Sequence, residues 1–136
     1  MTALQARLPS KAGRPPGAGA IALLVEPSVE VCASVLGTLE AHGYEVRVAR
    51  DLAEELDGAT LVLVEADRGA RALGLIRRVQ ALRPDLPLAC VLGWWDDDEG
   101  EACRLCRFIL HVPVREDQLQ GLAEFASSVL GRAALT

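Results

Sequence analysis

The sequence has 136 residues, of which 51% are hydrophobic and 24% charged, and its formal net charge is −5. This length and balance predict one folded domain, and the absence of a Lys and Arg cluster argues against a nucleic-acid partner. No apolar run reaches the roughly 18 residues that a membrane span needs, so no membrane association is expected.

The first 19 residues differ in composition from the rest of the chain. Residues 1–19 contain repeated Pro and Gly and few large apolar side chains, which predicts a disordered N-terminal tail, a domain over 20–132 and a short tail over 133–136. The leading segment has no apolar core of the kind found in secretory signals, so a cytoplasmic location is expected. Four cysteines are too few for a disulfide framework and are expected to be reduced thiols: Cys32, Cys90, Cys103 and Cys106.

The first half of the domain alternates between strand and helix patterns. Residues 21–25 form a short apolar run that predicts a buried strand, and Ser28 is a suitable N-cap for the helix that follows. Gly43 is placed to end this helix, whose predicted buried stripe is Cys32, Val35, Leu36 and Leu39. The alternating segment 44–48 predicts an edge strand, and Asp51 with Glu54 predicts the start of a short helix ending near Gly58.

The second half begins with the most apolar strand pattern in the chain. Residues 61–64 are Leu-Val-Leu-Val and are followed by Glu65 and Asp67, a pattern typical of a strand buried on both faces of a parallel sheet. A helix is predicted over 70–82 with the stripe Leu73, Ile76, Val79 and Leu82. The remaining predicted elements are a strand over 86–92, a weak helix through Cys103 and Cys106, a strand over 108–112 and a last helix from Glu116, with the stripe Leu119, Leu122, Ala126, Val129 and Leu130.

Five alternating strand and helix patterns with short connections predict an α/β fold with a doubly wound parallel sheet. In such sheets, chemistry is placed just beyond the carboxyl ends of the strands. Glu65 and Asp67 are therefore at the position where a functional site is expected.

From Ile21 to about Leu130, the order of these patterns resembles the receiver domain of bacterial two-component response regulators. The resemblance is carried by the strand at 21–25 with Glu26 and Pro27, by Gly43-Tyr44-Glu45-Val46, by 61–65, by Arg83-Pro84-Asp85-Leu86-Pro87-Leu88 and by Val112-Pro113-Val114. It implies a flavodoxin-like (CheY-like) sheet of five parallel strands in the order 2-1-3-4-5. It also implies phosphorylation of an aspartate at the end of the third strand.

Phosphoryl transfer to a carboxylate requires a nucleophilic Asp, a cation held by acids, and a fixed positive charge. The resemblance implies two acids after strand one, a Ser or Thr after strand four and a Lys before Pro113. In this sequence Glu26 supplies only one of the two acids. Pro27 stands at the second, Glu65 at the aspartate, Gly93 at the Ser or Thr, and Val112 at the Lys. We therefore predict a degenerate receiver, or pseudo-receiver, with no catalytic residue, metal or cofactor, that acts by binding a protein.

Two alternatives keep some chemistry on this fold. Asp67 could serve as a displaced phosphate acceptor, although Pro27 and Val112 would leave it without a metal partner or a positive clamp. The CxxC spacing of Cys103 and Cys106 could instead form a redox or metal sensor, but core cysteines are the more common explanation. Glu65 itself either imitates a phosphorylated aspartate or is a solvated carboxylate at the mouth of a loop.

A contact surface is predicted from the adjacent tryptophans and from the resemblance. Two neighbouring tryptophans in extended or turn geometry point in different directions, so one of them is expected to be exposed, unless both pack under the fourth helix. Receiver domains commonly use the face formed by the fourth helix, fifth strand and fifth helix to bind partners or a second copy. The candidate contact residues on this face are Trp94, Trp95, Leu105 and His111.

Overall fold

The computed structural model describes residues 19–49, 52–66, 70–93 and 104–135, without the side chains at 53, 70 and 131–135. Its centre is a sheet of five parallel strands in the order β2-β1-β3-β4-β5. The strands are β1 (Ile21–Val25), β2 (Glu45–Ala49), β3 (Leu61–Glu65), β4 (Leu88–Leu92) and β5 (Phe108–His111). The predicted flavodoxin-like architecture is therefore confirmed, including the strand order.

Helices cover both faces of this sheet. In the described ranges, the helices are α1 (Val29–Ala41), α2 (Leu52–Glu55), α3 (Ala70–Leu82) and a C-terminal helix (Glu116–Leu135). The Ser28 hydroxyl accepts a hydrogen bond of 3.2 Å from the Val31 N–H and caps the start of α1, as predicted. Gly43 has a φ of 96° just after the helix, a conformation that favours glycine. None of the helices in the described ranges is long and apolar enough to cross a membrane.

The apolar core has two parts, one on each face of the sheet. On the side of α2 and α3, β3 contributes Val62 and Val64, which pack with Ile76 and Val79 of α3. On the other side, β3 contributes Leu61 and Leu63, which pack with buried residues of α1 and of the C-terminal helix: Val31, Val35, Leu39, Leu119 and Leu122. Because successive strand residues point to opposite faces, the continuous apolar run of β3 serves both cores.

The predicted helix stripes are confirmed in part. In α1, Val35 and Leu39 are buried as predicted, but the third buried residue is Val31, and Cys32 and Leu36 are only half-buried. In α3, Leu82 is 46% exposed, because the buried series runs through Ala72, Ile76 and Val79. The next helical step of four residues from Val79 reaches Arg83, so Leu82 turns away from the sheet.

Arg83 also explains why β4 begins later than predicted. Its guanidinium donates to the Leu56 carbonyl at 3.2 Å and pairs with Asp85 at 2.8 Å. The Leu86 N–H donates to the Arg83 carbonyl, so Leu86 belongs to a turn and the strand starts at Leu88. The hydrogen bond from Arg83 lowers the pKa of the Asp85 carboxyl below its usual value.

The weak helix predicted before β5 is only partly described. Arg104 and Leu105 are helical, Cys106 is not, and Cys103 lies outside the described residues. Strand β5 ends at His111, one residue earlier than predicted, although the Val112 N–H still donates to the Leu92 carbonyl at 3.0 Å.

Candidate functional site

The carboxyl ends of β1, β3, β4 and β5 bring the predicted site positions to one edge of the sheet. Val25 is paired with Val64, Glu65 with Val91, and Leu92 with His111. The residues that follow these pairs are therefore neighbours at the same edge, where open parallel sheets place their functional groups: Glu26, Glu65, Gly93 and Val112.

Glu65 is the last residue of β3, and its side chain is turned inward. Only 2% of the residue is exposed, and its Oε1 accepts a hydrogen bond of 2.6 Å from the Ser28 main-chain N–H. Ser28 is the N-cap of α1, so the carboxylate lies at the positive end of a helix. The alternative that Glu65 is a solvated carboxylate is wrong, because the start of α1 lies against the end of β3.

Glu26 follows β1, and its partner is on α3, whereas the partner of Glu65 is at the start of α1. Its carboxylate forms an ion pair with the guanidinium of Arg71, in the first turn of α3. Glu26 also has a φ of 44°, in the left-handed region that residues other than glycine seldom adopt. Pro27, the next residue, is half-buried and offers no carboxylate to the edge.

Sequence patterns did not reveal the role of Arg71. The strand order could have revealed it. Because α3 begins just after β3, and β3 pairs with β1, the first turn of α3 lies at the same edge of the sheet as the end of β1. A cation in that first turn is therefore within reach of an acid after β1. Arg71 is in a helix and not at a strand end, so the pattern of residues after the strands does not include it.

The positions after β4 and β5 carry no polar side chain. Gly93 is buried at the end of β4. Val112 is 4% exposed and belongs to the core on the side of α1 and the C-terminal helix. A buried isopropyl group therefore stands where the resemblance to receivers implies an ammonium group. Asp67, the displaced acceptor considered above, lies outside the described residues.

Over the described ranges, no three His, Cys, Asp or Glu side chains are grouped closely enough to hold a metal ion. The positive charge beside Glu26 comes instead from Arg71. At this edge, the described side chains can hold an internal ion pair and a buried carboxylate. They do not converge oxygen ligands on one point, which a magnesium site requires.

The predicted contact residues are spread along β5. Leu105 is half-buried and packs against the core on the side of α3, just before the strand begins. His111 is exposed at the other end of the strand, where its main-chain N–H donates to the Gln118 side-chain oxygen at 2.7 Å. The structure therefore does not bring these two residues together. Trp94 and Trp95 lie outside the described residues.

Cys106 has a described neighbour that sequence spacing did not suggest. Its Sγ accepts a hydrogen bond from the Cys90 thiol, with 2.8 Å between the two sulfurs, and both residues are buried. The predicted partner, Cys103, lies outside the described residues. Cys90 and Cys106 are 16 apart in the sequence, so this contact follows from the packing of the segment before β5 in the same core as β4.

A groove of about 560 Å³ lies away from these positions, at the amino ends of β4 and β5. Its walls include Arg83 and Leu88 on one side and Phe125 and Val129 of the C-terminal helix on the other. Because it lies at the opposite end of the strands from Glu65, it is not part of the candidate site.

Comparison with known proteins gives structural relatives only. No protein-family model and no curated protein matches the sequence. The crystal structure of NtrX from Brucella abortus is 28% identical with a TM-score of 0.64, over 85% of this chain and 27% of NtrX. A response regulator receiver domain protein from Clostridium thermocellum is 17% identical with a TM-score of 0.63, over 85% of this chain and 98% of that protein.

Full-length FixJ from B. japonicum is 20% identical with a TM-score of 0.65, over 86% of this chain and 62% of FixJ. The chain thus spans about a quarter of NtrX and nearly the whole of the shorter receiver domain protein. Sheet order, helix placement and these similarities agree with one another. The fold of this chain is therefore that of the receiver domains of response regulators.

Proposed function

We propose that this receiver domain is a pseudo-receiver, which binds a protein partner and is not switched by phosphate. The observation that carries the proposal is the position of the Glu65 carboxylate. It is buried and hydrogen-bonded to the Ser28 N–H at the place where a receiver has its phosphate acceptor.

The geometry of Glu65 is unsuited to phosphoryl transfer. Its side chain is one methylene longer than that of aspartate, and in-line attack tolerates little displacement of the reacting oxygen. The hydrogen bond to Ser28 directs Oε1 toward the start of α1. A nucleophile held in this way faces the protein interior instead of an incoming phosphodonor.

The charges around Glu65 also support the proposal. A divalent cation would have to displace the Arg71 guanidinium from Glu26, and Pro27 offers no second carboxylate. Val112 supplies no charge to stabilise a phosphoryl group. A phosphorylated side chain at this edge would carry about two negative charges with no metal or ammonium group to balance them.

Protein contact is the function that remains for such a scaffold. The similarity to NtrX and FixJ covers only part of those longer chains, in which a receiver fold is joined to further segments. We infer that this domain likewise contacts another protein segment, in the cytoplasm, through the face that contains β5 and the C-terminal helix. Trp94, Trp95, Leu105 and His111 are the candidate contact residues, and self-association into a homodimer is one form of this contact.

Incubation with acetyl phosphate and Mg²⁺ tests the phosphate part of the proposal. Intact-mass spectrometry is expected to detect no phosphoryl adduct, whereas a receiver with an intact site becomes phosphorylated under the same conditions. An adduct sensitive to hydroxylamine would contradict the proposal. Loss of that adduct in an Asp67→Asn variant would assign it to the displaced acceptor.

A second experiment tests the contact surface. Wild-type protein and a Trp94→Ala, Trp95→Ala variant are compared by affinity capture from the native cell and by sedimentation for self-association. The variant is expected to lose a specific partner or the self-association that the wild type shows. Val48→Ala on β2, where Val48 is 38% exposed, is the matched control at the other edge of the sheet. Equal binding by all three proteins would reject this surface.

A further inference from the structure

We propose that Cys90 and Cys106 are an oxidation site, at which a hydroperoxide converts two core thiols into an intramolecular disulfide. Cys90 is the middle residue of β4 and is fully buried. Cys106 lies in the turn just before β5 and is 7% exposed. The inference does not depend on the proposed loss of phosphate switching.

The distance between the sulfurs is the first observation in favour. The Cys90 Sγ and Cys106 Sγ are 2.8 Å apart, and a disulfide bond is about 2.0 Å long. A change of about 0.8 Å at the ends of two side chains therefore separates the thiol pair from the bonded state. The two residues are 16 apart in the sequence, so the fold has brought them together.

Their surroundings are the second observation. Both residues belong to the apolar core on the side of α2 and α3, with Leu105 and Ile109 packed against it. Apolar walls keep large reagents out, and of the two buried sulfurs only that of Cys106, in a residue with 7% exposure, is near enough to the surface for a small oxidant. Cys106 is therefore the sulfur that reacts first, and Cys90 is the one that resolves the product.

The chemistry balances with one hydroperoxide for each pair of thiols. The Cys106 sulfur attacks the peroxide, the O–O bond breaks, and a sulfenic acid forms as an alcohol or water leaves. The Cys90 sulfur then attacks the sulfenic sulfur, the S–O bond breaks, and water leaves with the Cys90 proton. In total, two thiols lose two electrons, and both peroxide oxygens are reduced, one to the alcohol or water of the first step and the other to the water of the second.

The disulfide would close a loop that contains three of the four candidate contact residues. Residues 91–105 lie between the two cysteines and include Trp94 and Trp95. A crosslink at the ends of this segment limits the conformations available to it. Oxidation would therefore act on the part of the chain that is predicted to meet a partner.

Peptide mapping tests the proposal directly. The folded protein is treated with hydrogen peroxide and then denatured in the presence of iodoacetamide, which blocks the remaining thiols. The chain is then cleaved with trypsin and with a protease specific for the amino side of Asp. Trypsin alone leaves Cys90 and Cys103 on one peptide, whereas cleavage at Asp96 separates them. The expected product joins the Cys90 peptide to the Cys106 peptide.

A product that joins Cys103 to Cys106, or one that joins two protein molecules, would overturn the assignment. The Cys103→Ala variant is expected to form the Cys90–Cys106 disulfide as the wild type does. If both thiols of this folded variant stay open to alkylation after peroxide treatment and denaturation, the proposal is wrong.

Thermal unfolding gives a second readout that does not depend on mapping. Oxidation is expected to raise the Tm of wild type and Cys103→Ala by about 5–10 °C, and dithiothreitol is expected to reverse the shift. Cys106→Ala should show no reversible shift, while Cys32→Ala, which lies on α1, should respond as the wild type does. A reversible shift of equal size in Cys106→Ala would contradict the proposal.

Discussion

Glu65 shows how a single methylene changes what a strand end can do. An aspartate at the end of β3 would present its carboxylate at the sheet edge, whereas the longer side chain of Glu65 reaches the Ser28 N–H. The helix N-terminus offers unpaired N–H donors and a positive partial charge, so it can hold a carboxylate that is removed from water. The residue therefore contributes to the attachment of α1 to the sheet.

Replacing Glu65 by Gln tests this contribution. The amide keeps the size and one oxygen acceptor but removes the negative charge beside the start of α1. We expect the free energy of unfolding at neutral pH to fall by about 1–2 kcal/mol, because hydrogen bonds to charged acceptors are the stronger ones. Urea denaturation measures the change.

Glu54→Gln is the matched control for this substitution. Glu54 is exposed on α2, so its replacement is expected to change stability by less than about 0.5 kcal/mol. If Glu65→Gln were as stable as the wild type, the charge on Glu65 would have no part in holding α1.

Tyr44 is the single tyrosine and gives a spectroscopic probe of the core. It is 5% exposed in the core between α1 and the sheet, and burial raises the pKa of its hydroxyl. In the unfolded chain, a tyrosine loses its proton near pH 10. Above that pH the unfolded state gains charge that the folded state resists, so stability is expected to fall as the pH rises.

Absorbance titration near 295 nm measures this effect. The folded protein should ionise Tyr44 at a higher pH than the same protein in denaturant. Equal midpoints would show that the hydroxyl is in contact with water, contrary to its burial in the structure.

At the scale of elements, sequence signals located helix ends better than helix faces. Ser28 and Gly43 marked the ends of α1, and the predicted range of α3 matches the structure. The exposed side chain of Leu82 and the burial of Val31 were not predicted, because a one-residue rotation of a helix leaves the spacing pattern unchanged. The rotation is decided by contacts with the sheet.

At the site, the sequence likewise predicted the positions of single residues but not the contacts between residues that are far apart in the chain. The positions of Glu26, Glu65, Gly93 and Val112 followed from the order of strands and from the resemblance to receivers. The pairing of Arg71 with Glu26 and of Cys106 with Cys90 joins residues that are far apart in the chain. No local spacing contains such contacts.

The C-terminal helix protects the edge of the sheet at β5. Gln118 accepts from the His111 N–H at 2.7 Å and donates to the His111 carbonyl at 3.1 Å. One side chain thus forms hydrogen bonds with both the N–H and the carbonyl of an edge-strand residue. Without these bonds, the two groups would be free to pair with a strand of another chain.

Replacing Gln118 by Ala should expose this part of the edge. We expect hydrogen exchange of the His111 amide to accelerate about tenfold or more, because its acceptor is lost. Nuclear magnetic resonance of the labelled protein measures the rate. Gln120→Ala, an exposed position on the same helix, should leave that rate unchanged. Unchanged exchange in Gln118→Ala would mean that the amide is protected in another way.

For the whole molecule, the proposal of a pseudo-receiver predicts that phosphate analogues do not bind and do not change its thermal stability. A ligand at 100 times its dissociation constant stabilises the state it binds by about 2.7 kcal/mol, which would raise the Tm of a chain this size by several degrees. We expect Mg²⁺ with beryllofluoride to change the Tm by less than about 1 °C, since Arg71 already pairs with Glu26.

Differential scanning calorimetry measures this outcome, with a receiver that has an intact acidic pair as the positive control. A clear rise in Tm for this protein would show that the edge binds the analogue. It would then contradict the absence of phosphate switching without affecting the cysteine proposal.

The two-sided core has a consequence for protein synthesis. Ala22 and Leu61 belong to the same core as Leu119 and Leu122 of the C-terminal helix. A ribosome therefore releases the first strand nearly 100 residues before the helix that shields it. During that interval α1 alone can cover this apolar face, and the part left open offers a binding surface to a holding chaperone until translation reaches the final helix.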